Sequence, residues 1–329
     1  MNVKQIVKLF IENPDRMSMG SGKLSKRWGC DPSEIIEARV QARAILNNGA
    51  EKRASDIVAK PKKSTVQNLP SQSSPKKSSN VGMHIVSGCW HAPFQNKQMQ
   101  KGVIDLIADL GDKVKGFHLI GDIVDMVSLS AHEPNKTPMP GVTLGMEYRE
   151  ANKFLDSFED VLPEDCEKTY IWGNHENRWT RHVADINTSR YADALPSPTE
   201  ALRLESRGYT VYENWKEDYH FLGSDLQLIH GEFCSKYPAR THVDRMKASV
   251  MFAHTHRIDI NYDGERAGFN IGWGGDVNSP AFNYVSRLSK MNWINGFALV
   301  HIDEKGNYYT QVIPVYHSKF WYNGKCYGK

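Results

Sequence analysis

Apolar and polar positions change their rhythm twice along the 329 residues. Near the start, Ile6, Leu9, Phe10 and Ile11 fall at helical spacing. The stretch GKLSKRWGCDPSEIIEARVQARAIL then predicts a short helix from Leu24 to Trp28, a stop and a second helix. Gly29 ends the first by accepting a left-handed conformation. Asp31 or Ser33 caps the second, with Pro32 near its first turn, and Ile35, Ile36, Val40 and Ile45 give it an apolar face. Helix, tight glycine turn, helix is the helix-turn-helix pattern, so residues 1–48 are expected to form a small all-α module. Residues 49–80 contain AKPKKSTVQNLPSQSSPKKSSN, which is rich in Ser, Lys and Pro. A segment so poor in large apolar side chains cannot offset its chain entropy, and a flexible linker is expected there.

From residue 81 to 329 the pattern alternates between strand and helix. HIVSG, FHLIG, TYIWG, LQLIHG and SVMFAH read as strands; Lys97 to Leu110, Met146 to Leu162 and a stretch from Asn174 onward read as helices. After His256 strands and turns take over, with FALVHID, an EKGN turn and YYTQVIPVY. This order predicts an α/β domain, a layered sandwich of two mixed sheets flanked by helices.

Charge separates the segments further. Residues 1–82 hold 15 Lys+Arg against 7 Asp+Glu, a net of +8, whereas residues 83–329 hold 26 against 31, a net of −5. A basic module on an acidic body points to a polyanionic partner for the module. Lys23, Lys26, Arg27, Arg39 and Arg43 are its candidate nucleic-acid contacts. Glu34 and Glu37, at the start of the second helix, favour a protein-docking role instead. The cysteines, Cys30, Cys89, Cys166, Cys234 and Cys326, are odd in number and have no paired spacing, which fits a reducing cytoplasm. No run approaches the roughly 20 apolar residues of a membrane span, and no signal-peptide pattern opens the sequence.

Metal-competent side chains follow the predicted strands one after another. They are Cys89 and His91 in GCWHAPF, Asp122 and Asp125 in GDIVD, and Asn174, His175 and Glu176 in GNHENR; then His230 in IHGEF, and His254 and His256 in AHTH. At the carboxyl ends of strands their loops converge on one crevice. A lone histidine after a strand is usually structural, and His84 and His118, inside apolar strands, are read that way; His132 in SLSAHEP, in a loop that could reach the site, is read as a surface histidine. Five such sites in order are hard to explain by packing.

GDxxD, GNHE and the final HTH, in that order, resemble the calcineurin-like metallophosphoesterases. The resemblance runs from Met83 to the end, and Asn270-Ile-Gly, Tyr284, Trp293 and Asn295-Gly-Phe are similar to the tail of the bacterial and phage branch. It implies a four-layer α/β/β/α sandwich and hydrolysis of a P–O ester by attack of metal-bound hydroxide. Two divalent ions about 3.5–4 Å apart would be held there. Asp122 would bridge them; His91, His256 and Cys89 would complete one site, and Asn174, His230 and His254 the other. The mixed O and N donors suit Mn, Fe, Zn or Ni, with Mn first for assay. His175 would protonate the leaving group or stabilise charge, Arg178 would brace a phosphate oxygen, and Asp125 would stand behind the ligands.

Two departures stand out. Ala253 takes the place of the usual glycine before HTH, tolerable unless that position needs a positive φ. Cys89 takes the place of a metal-binding aspartate, so it is a softer ligand, a weakening of the first site, or the mark of a binding protein that has set turnover aside. With the other ligands in place, an active phosphoesterase is expected. The basic module points to a nucleic-acid or nucleotide-type substrate, acted on by a nuclease, phosphodiesterase or end phosphatase. A catalytically weakened nucleic-acid- or partner-binding protein and a protein phosphatase are the alternatives. A bacterial or phage-infected host cytoplasm fits these features.

Overall fold

The computed structural model describes residues 3–12, 24, 27–30, 34–35, 38, 41–42, 81–130, 141–185 and 194–329. The chain divides into two compact units, Met1–Gln72 and Ser73–Lys329.

In the first unit, helix α1 (Val3–Glu12) buries Ile6, Val7 and Phe10. These pack with Leu24, Ile35, Ala38 and Ala42, and Trp28 meets Phe10 edge-on at 5.6 Å. Gly29 has φ +62°, in the left-handed region, between helical residues on either side. Arg27 is exposed; Lys23, Lys26, Arg39 and Arg43 lie outside the described residues, as do the 49–80 segment and His132.

The second unit runs β1 (Gly82–Ser87), α2 (Lys97–Leu110), β2 (Val114–Ile120), α3 (Leu144–Glu159), β3 (Glu167–Ile171), α4 (Asn177–Ala184) and α5 (Pro198–Ala201). Strands β4 (Tyr209–Tyr212), β5 (His220–Leu222) and β6 (Leu226–Leu228) follow, then α6 (Pro238–Met246) and β7 (Ser249–Phe252). The chain closes with β8 (Ile258–Asp263), β9 (Arg266–Ile271), α7 (Arg287–Lys290), β10 (Asn295–Ile302), β11 (Tyr308–Val315), β12 (Phe320–Tyr322) and β13 (Lys325–Tyr327). One sheet has the order β11-β10-β1-β2-β3-β4 and a second the order β5-β6-β7-β9-β8. Both are mixed: β1 to β4 are parallel and β10 antiparallel, while β6, β7 and β9 are parallel and β5 and β8 antiparallel.

The strand period of two explains the layers. Ile85, Phe117 and Leu119 face Val103, Leu106, Phe154 and Phe158 of α2 and α3. Their neighbours Val86 and Ile120 face Leu226, Leu228, Met251 and Phe269 of the second sheet. On that sheet's outer side Val250 and Phe252 pack on Ala239 and Val243 of α6. The order is therefore helix, sheet, sheet, helix.

His84 and His118, expected to be structural, are fully buried. Their rings stack at 5.3 Å, with His84 Nδ1 and His118 Nε2 3.0 Å apart, and His220 of β5 stacks on His118 at 5.2 Å. A Cβ on Gly116 would come within 2.1 Å of His84 Nδ1, so only glycine leaves room for the stack. Glu167 Oε1 lies 3.3 Å from His220 Nε2, and the Tyr212 hydroxyl 3.2 Å from His220 Nδ1. Burial, with help from His220 and His84, holds His118 well below its ordinary value, so it is neutral in the fold. The unfolded chain protonates this ring below about pH 6.5 and the folded chain does not. Stability of metal-free protein is therefore expected to fall on acidification below that value, with this ring contributing about 1.4 kcal/mol per pH unit. Thermal or urea melts from pH 7.5 to 5 should show a shallower dependence in His118→Leu; an identical slope would remove the histidine stack as its source.

Candidate metal centre

The ligand candidates stand where the parallel strands end. Cys89 and His91 follow β1, Asp122 and Asp125 follow β2, and Asn174 and His175 follow β3, all from the first sheet. His230 follows β6, and His254 and His256 follow β7, from the second. Cys89, His91, Asp122, His254 and His256 have φ between +47° and +60°. For non-glycine residues this conformation costs on the order of 1 kcal/mol or more, and it clusters at functional sites. Here it turns each side chain out of the strand direction. Ala253 has no positive φ and is fully buried, so it fits without strain.

Two groups of donor atoms form. In the first, His91 Nε2 and His256 Nε2 are 3.1 Å apart. His91 Nδ1 lies 2.9 Å from Asp125 Oδ2; with Nδ1–H donating to that carboxylate, the Nε2 lone pair faces His256. Burial holds His256 well below its ordinary value, so it offers a neutral ring. In the second, His230 Nε2 lies 3.0 Å from Asn174 Oδ1, 3.1 Å from His254 Nδ1 and 3.3 Å from Asp122 Oδ2. The other ring nitrogen, His230 Nδ1, donates to Ile120 O at 2.9 Å. Acceptor atoms so crowded repel one another unless a cation joins them. Burial disfavours charge on His230, yet Asp122 draws its pKa upward, the same attraction acting on a proton. The donor set therefore fits transition-metal ions.

Cys89 Sγ belongs to both groups, lying within 4.8 Å of the ligand atoms of His91 and His256 and of those of Asp122 and His230. It accepts from the His254 amide at 3.1 Å. Burial, and then the Asp122 charge, push its thiol well above the ordinary value. Only a cation beside it would draw the proton off.

The supporting residues explain the rest of the motifs. Glu176 is fully buried and accepts from the amides of Asp122, Ile123, Val124 and Gly173 and from the Tyr170 hydroxyl, at 2.8–3.1 Å. Sequence reasoning counted Glu176 among the metal-competent residues; its carboxylate instead ties GDIVD to GNHE. Glu147 of α3 does the same for the next turn, accepting from the Val127 and Ser128 amides at 2.7 and 3.2 Å, and burial raises it to about 7. A Cβ on Gly173 would meet Asp122 Oδ1 at 2.1 Å, and one on Gly121 would meet His230 Nδ1 at 2.3 Å. Trp273 stacks on His256 at 4.5 Å, Trp293 meets the same ring edge-on at 4.5 Å, and Trp215 lies 5.9 Å from His230.

Burial lowers His175 to about 4, so it is neutral at pH 7. Its Nδ1 donates to Asp125 O at 2.6 Å, and its Nε2 accepts from Arg178 Nη2 at 3.2 Å. Arg178, expected to brace a phosphate oxygen, packs behind this ring with Nη1 on Asp125 O at 2.8 Å and is only 8% exposed. Its place in the first turn of α4 points it inward, where it holds His175 and the Asp125 loop. In its stead Arg257 lines the cleft. That cleft, of about 420 Å³, is lined by Asp122, Asn174, His175, His254 and His256 together with Tyr284, Ser289, Asn292 and Trp293. Periodicity gave no sign of Arg257, Ser289 or Asn292, because polar residues in turns carry no spacing signal.

Two mixed sheets between helices, with GDxxD, GNHE and HTH converging at the strand ends, decide the architecture. The fold is that of the calcineurin-like metallophosphoesterases. No family model and no curated sequence matches the chain. Among solved structures it is similar to Vps29 from Cryptosporidium parvum (14% identity, TM-score 0.41), covering 76% of this chain and 99% of that one. It is similar also to wild-type Vps29 from Entamoeba histolytica complexed with zinc (11%, TM-score 0.38; 74% and 95% covered). A Streptococcus pneumoniae protein described as a predicted phosphoesterase is a third (14%, TM-score 0.32; 76% and 97%). These likenesses are distant, and the site's own geometry carries the functional reading. Among the described residues no helix is long and apolar enough to cross a membrane.

Proposed function

We propose that this chain is a metal-dependent phosphoesterase that hydrolyses a P–O ester bond in a nucleotide or nucleic-acid-type substrate. The observation that carries the reading is the convergence of Asn174, His254 and Asp122 atoms within 3.3 Å of His230 Nε2 beside an open cleft, next to the His91–His256 pair. His91, His256, Cys89 and Asp122 would hold one divalent ion, and Asp122, Asn174, His230 and His254 a second. When bound, such ions supply Lewis-acid polarisation of the phosphate and ease the ionisation of water.

The chain's own groups do the rest. Asp122 stays ionised between the two donor groups. Asp125 fixes the His91 ring so that Nε2 faces inward. His175 is neutral, with Nδ1 engaged by Asp125 O and Nε2 by Arg178, so it would have to release one of these contacts before it could donate to the ester. Arg257 adds a fixed positive charge to the cleft wall. The basic residues 1–82, including exposed Arg27, support a polyanionic partner for the N-terminal module.

The raised Cys89 thiol favours a second reading, a binding protein with a weakened first site. One experiment separates them: metal content by mass spectrometry, with hydrolysis of bis(p-nitrophenyl) phosphate in added Mn, for wild type and Cys89→Asp. Two metals per chain and turnover in wild type, with Cys89→Asp equal or faster, are expected of the enzyme. No turnover in wild type, restored in Cys89→Asp, would instead support the binding protein.

A further inference from the structure

The lip of the cleft is unlike the rest of the domain. Residues 277–293 carry Arg287 and Lys290 and no Asp or Glu, on a body whose net charge is −5 over 83–329. The same stretch exposes Tyr284 (51%), Leu288 (76%) and Met291 (69%), large side chains that solvent does not favour. It is anchored from below, because Phe282 is buried and Trp293 packs against Trp273 and His256 at 4.8 and 4.5 Å. Tyr284, half-exposed beside this fixed base, lines the same cleft as Asp122, Asn174, His254 and His256. On the adjoining wall Arg257 donates from Nη2 to Ser235 O at 2.8 Å, which fixes the guanidinium while its fork retains further donors. Ser289 and Asn292 add polar side chains to the same lining. A volume of about 420 Å³ sits near the low end of small-ligand sites. It suits one nucleotide-sized unit.

We propose that Tyr284 and Arg257 select nucleotide-type phosphoesters, the aromatic ring stacking a base while the guanidinium takes a phosphate oxygen. The assignment rests on the hydrolase reading for its chemistry, but the lip reads the base whether or not the bond is cut. Any base offers a π-face, so the selection is for a nucleoside, not for a sequence.

The test compares two esters with one leaving group, thymidine 5′-(p-nitrophenyl phosphate) and methyl p-nitrophenyl phosphate, in Mn. Wild type should prefer the nucleoside ester in kcat/KM. Tyr284→Ala should cut that preference about tenfold, within the range of a base–aromatic stack, mostly through KM. Tyr284→Phe should keep it, and Arg257→Gln, which removes a contact to the phosphate that both esters carry, should lower kcat/KM for both and leave the ratio unchanged. An unchanged ratio in Tyr284→Ala, or no preference in wild type, overturns the proposal. If neither ester turns over, the hydrolase reading fails by itself. Calorimetry with thymidine 5′-monophosphate and inorganic phosphate then decides: tighter nucleotide binding lost in Tyr284→Ala sustains the lip, and equal binding of the two probes overturns it.

Discussion

Asp122→Asn is expected to lower hydrolysis of an aryl phosphodiester by roughly two to three orders of magnitude, the scale of losing one preorganised electrostatic group. The substitution keeps the shape of the side chain. An amide oxygen can still accept from the His175 amide, as Asp122 Oδ1 does at 2.8 Å, so the strand-end turn is retained. What disappears is the charge. Burial alone would push the Asp122 carboxyl up, but His175 and His230 overcome it and hold the group well below the usual carboxylate range. It is therefore a full negative charge at neutral pH, in contact distance of His230 and sharing a ligand group with Cys89. Without it, two cations side by side would meet only neutral side chains and a thiol that resists ionisation. Metal per chain, measured with turnover, should drop together with the rate. Wild-type metal content and wild-type rates in Asp122→Asn would sink the two-metal assignment.

Glu176→Gln is expected to destabilise the fold by about 2–6 kcal/mol, although Glu176 never faces the cleft. Each of its carboxylate oxygens accepts from at least two donors. Turning one oxygen into an NH₂ sets donor against donors and leaves at least two buried groups without an acceptor, at ~1–3 kcal/mol each. Domains of this kind are stable by only about 5–15 kcal/mol, so the variant should unfold at markedly lower urea and hold metal poorly. The loss reaches the site through the Asp122 amide, one of the groups set free. A change in unfolding free energy below about 1 kcal/mol would mean that the five hydrogen bonds are replaceable.

Much of this was legible in the residues. Strands β1 and β2 are buried on both faces, so HIVSG and FHLIG read as short continuous apolar runs ending at glycine, and those runs assigned the strands. The helix over Lys97 to Leu110 was read with its observed bounds, because Asn96 caps it and Gly111 ends it. The helix expected over Met146 to Leu162 starts two residues earlier, at Leu144, since Thr143 caps it. Short pieces escaped the reading: β4, β5, β12, β13 and α6 are three to nine residues long, too brief for a period to register against turns. The role of Arg178 escaped for another reason. Sequence places it in a first helical turn but not on which side of the helix the core lies.

By itself the sequence determined which chemistry is possible: a series of His, Asp, Asn and Cys donors, each at the end of an apolar run, and a basic module ahead of an acidic body. Spacing along a strand is local physics, so it survives in one dimension. Only the tertiary structure decided that donors from two sheets, up to 165 positions apart as His91 and His256 are, come within 3.1 Å of one another. It decided too that Glu176 binds backbone rather than metal, that Cys89 belongs to both donor groups, and that Tyr284 and Arg257 line one cleft. Those facts depend on how two sheets pack and which turns adopt a left-handed backbone, and such long-range contacts leave no period in the chain.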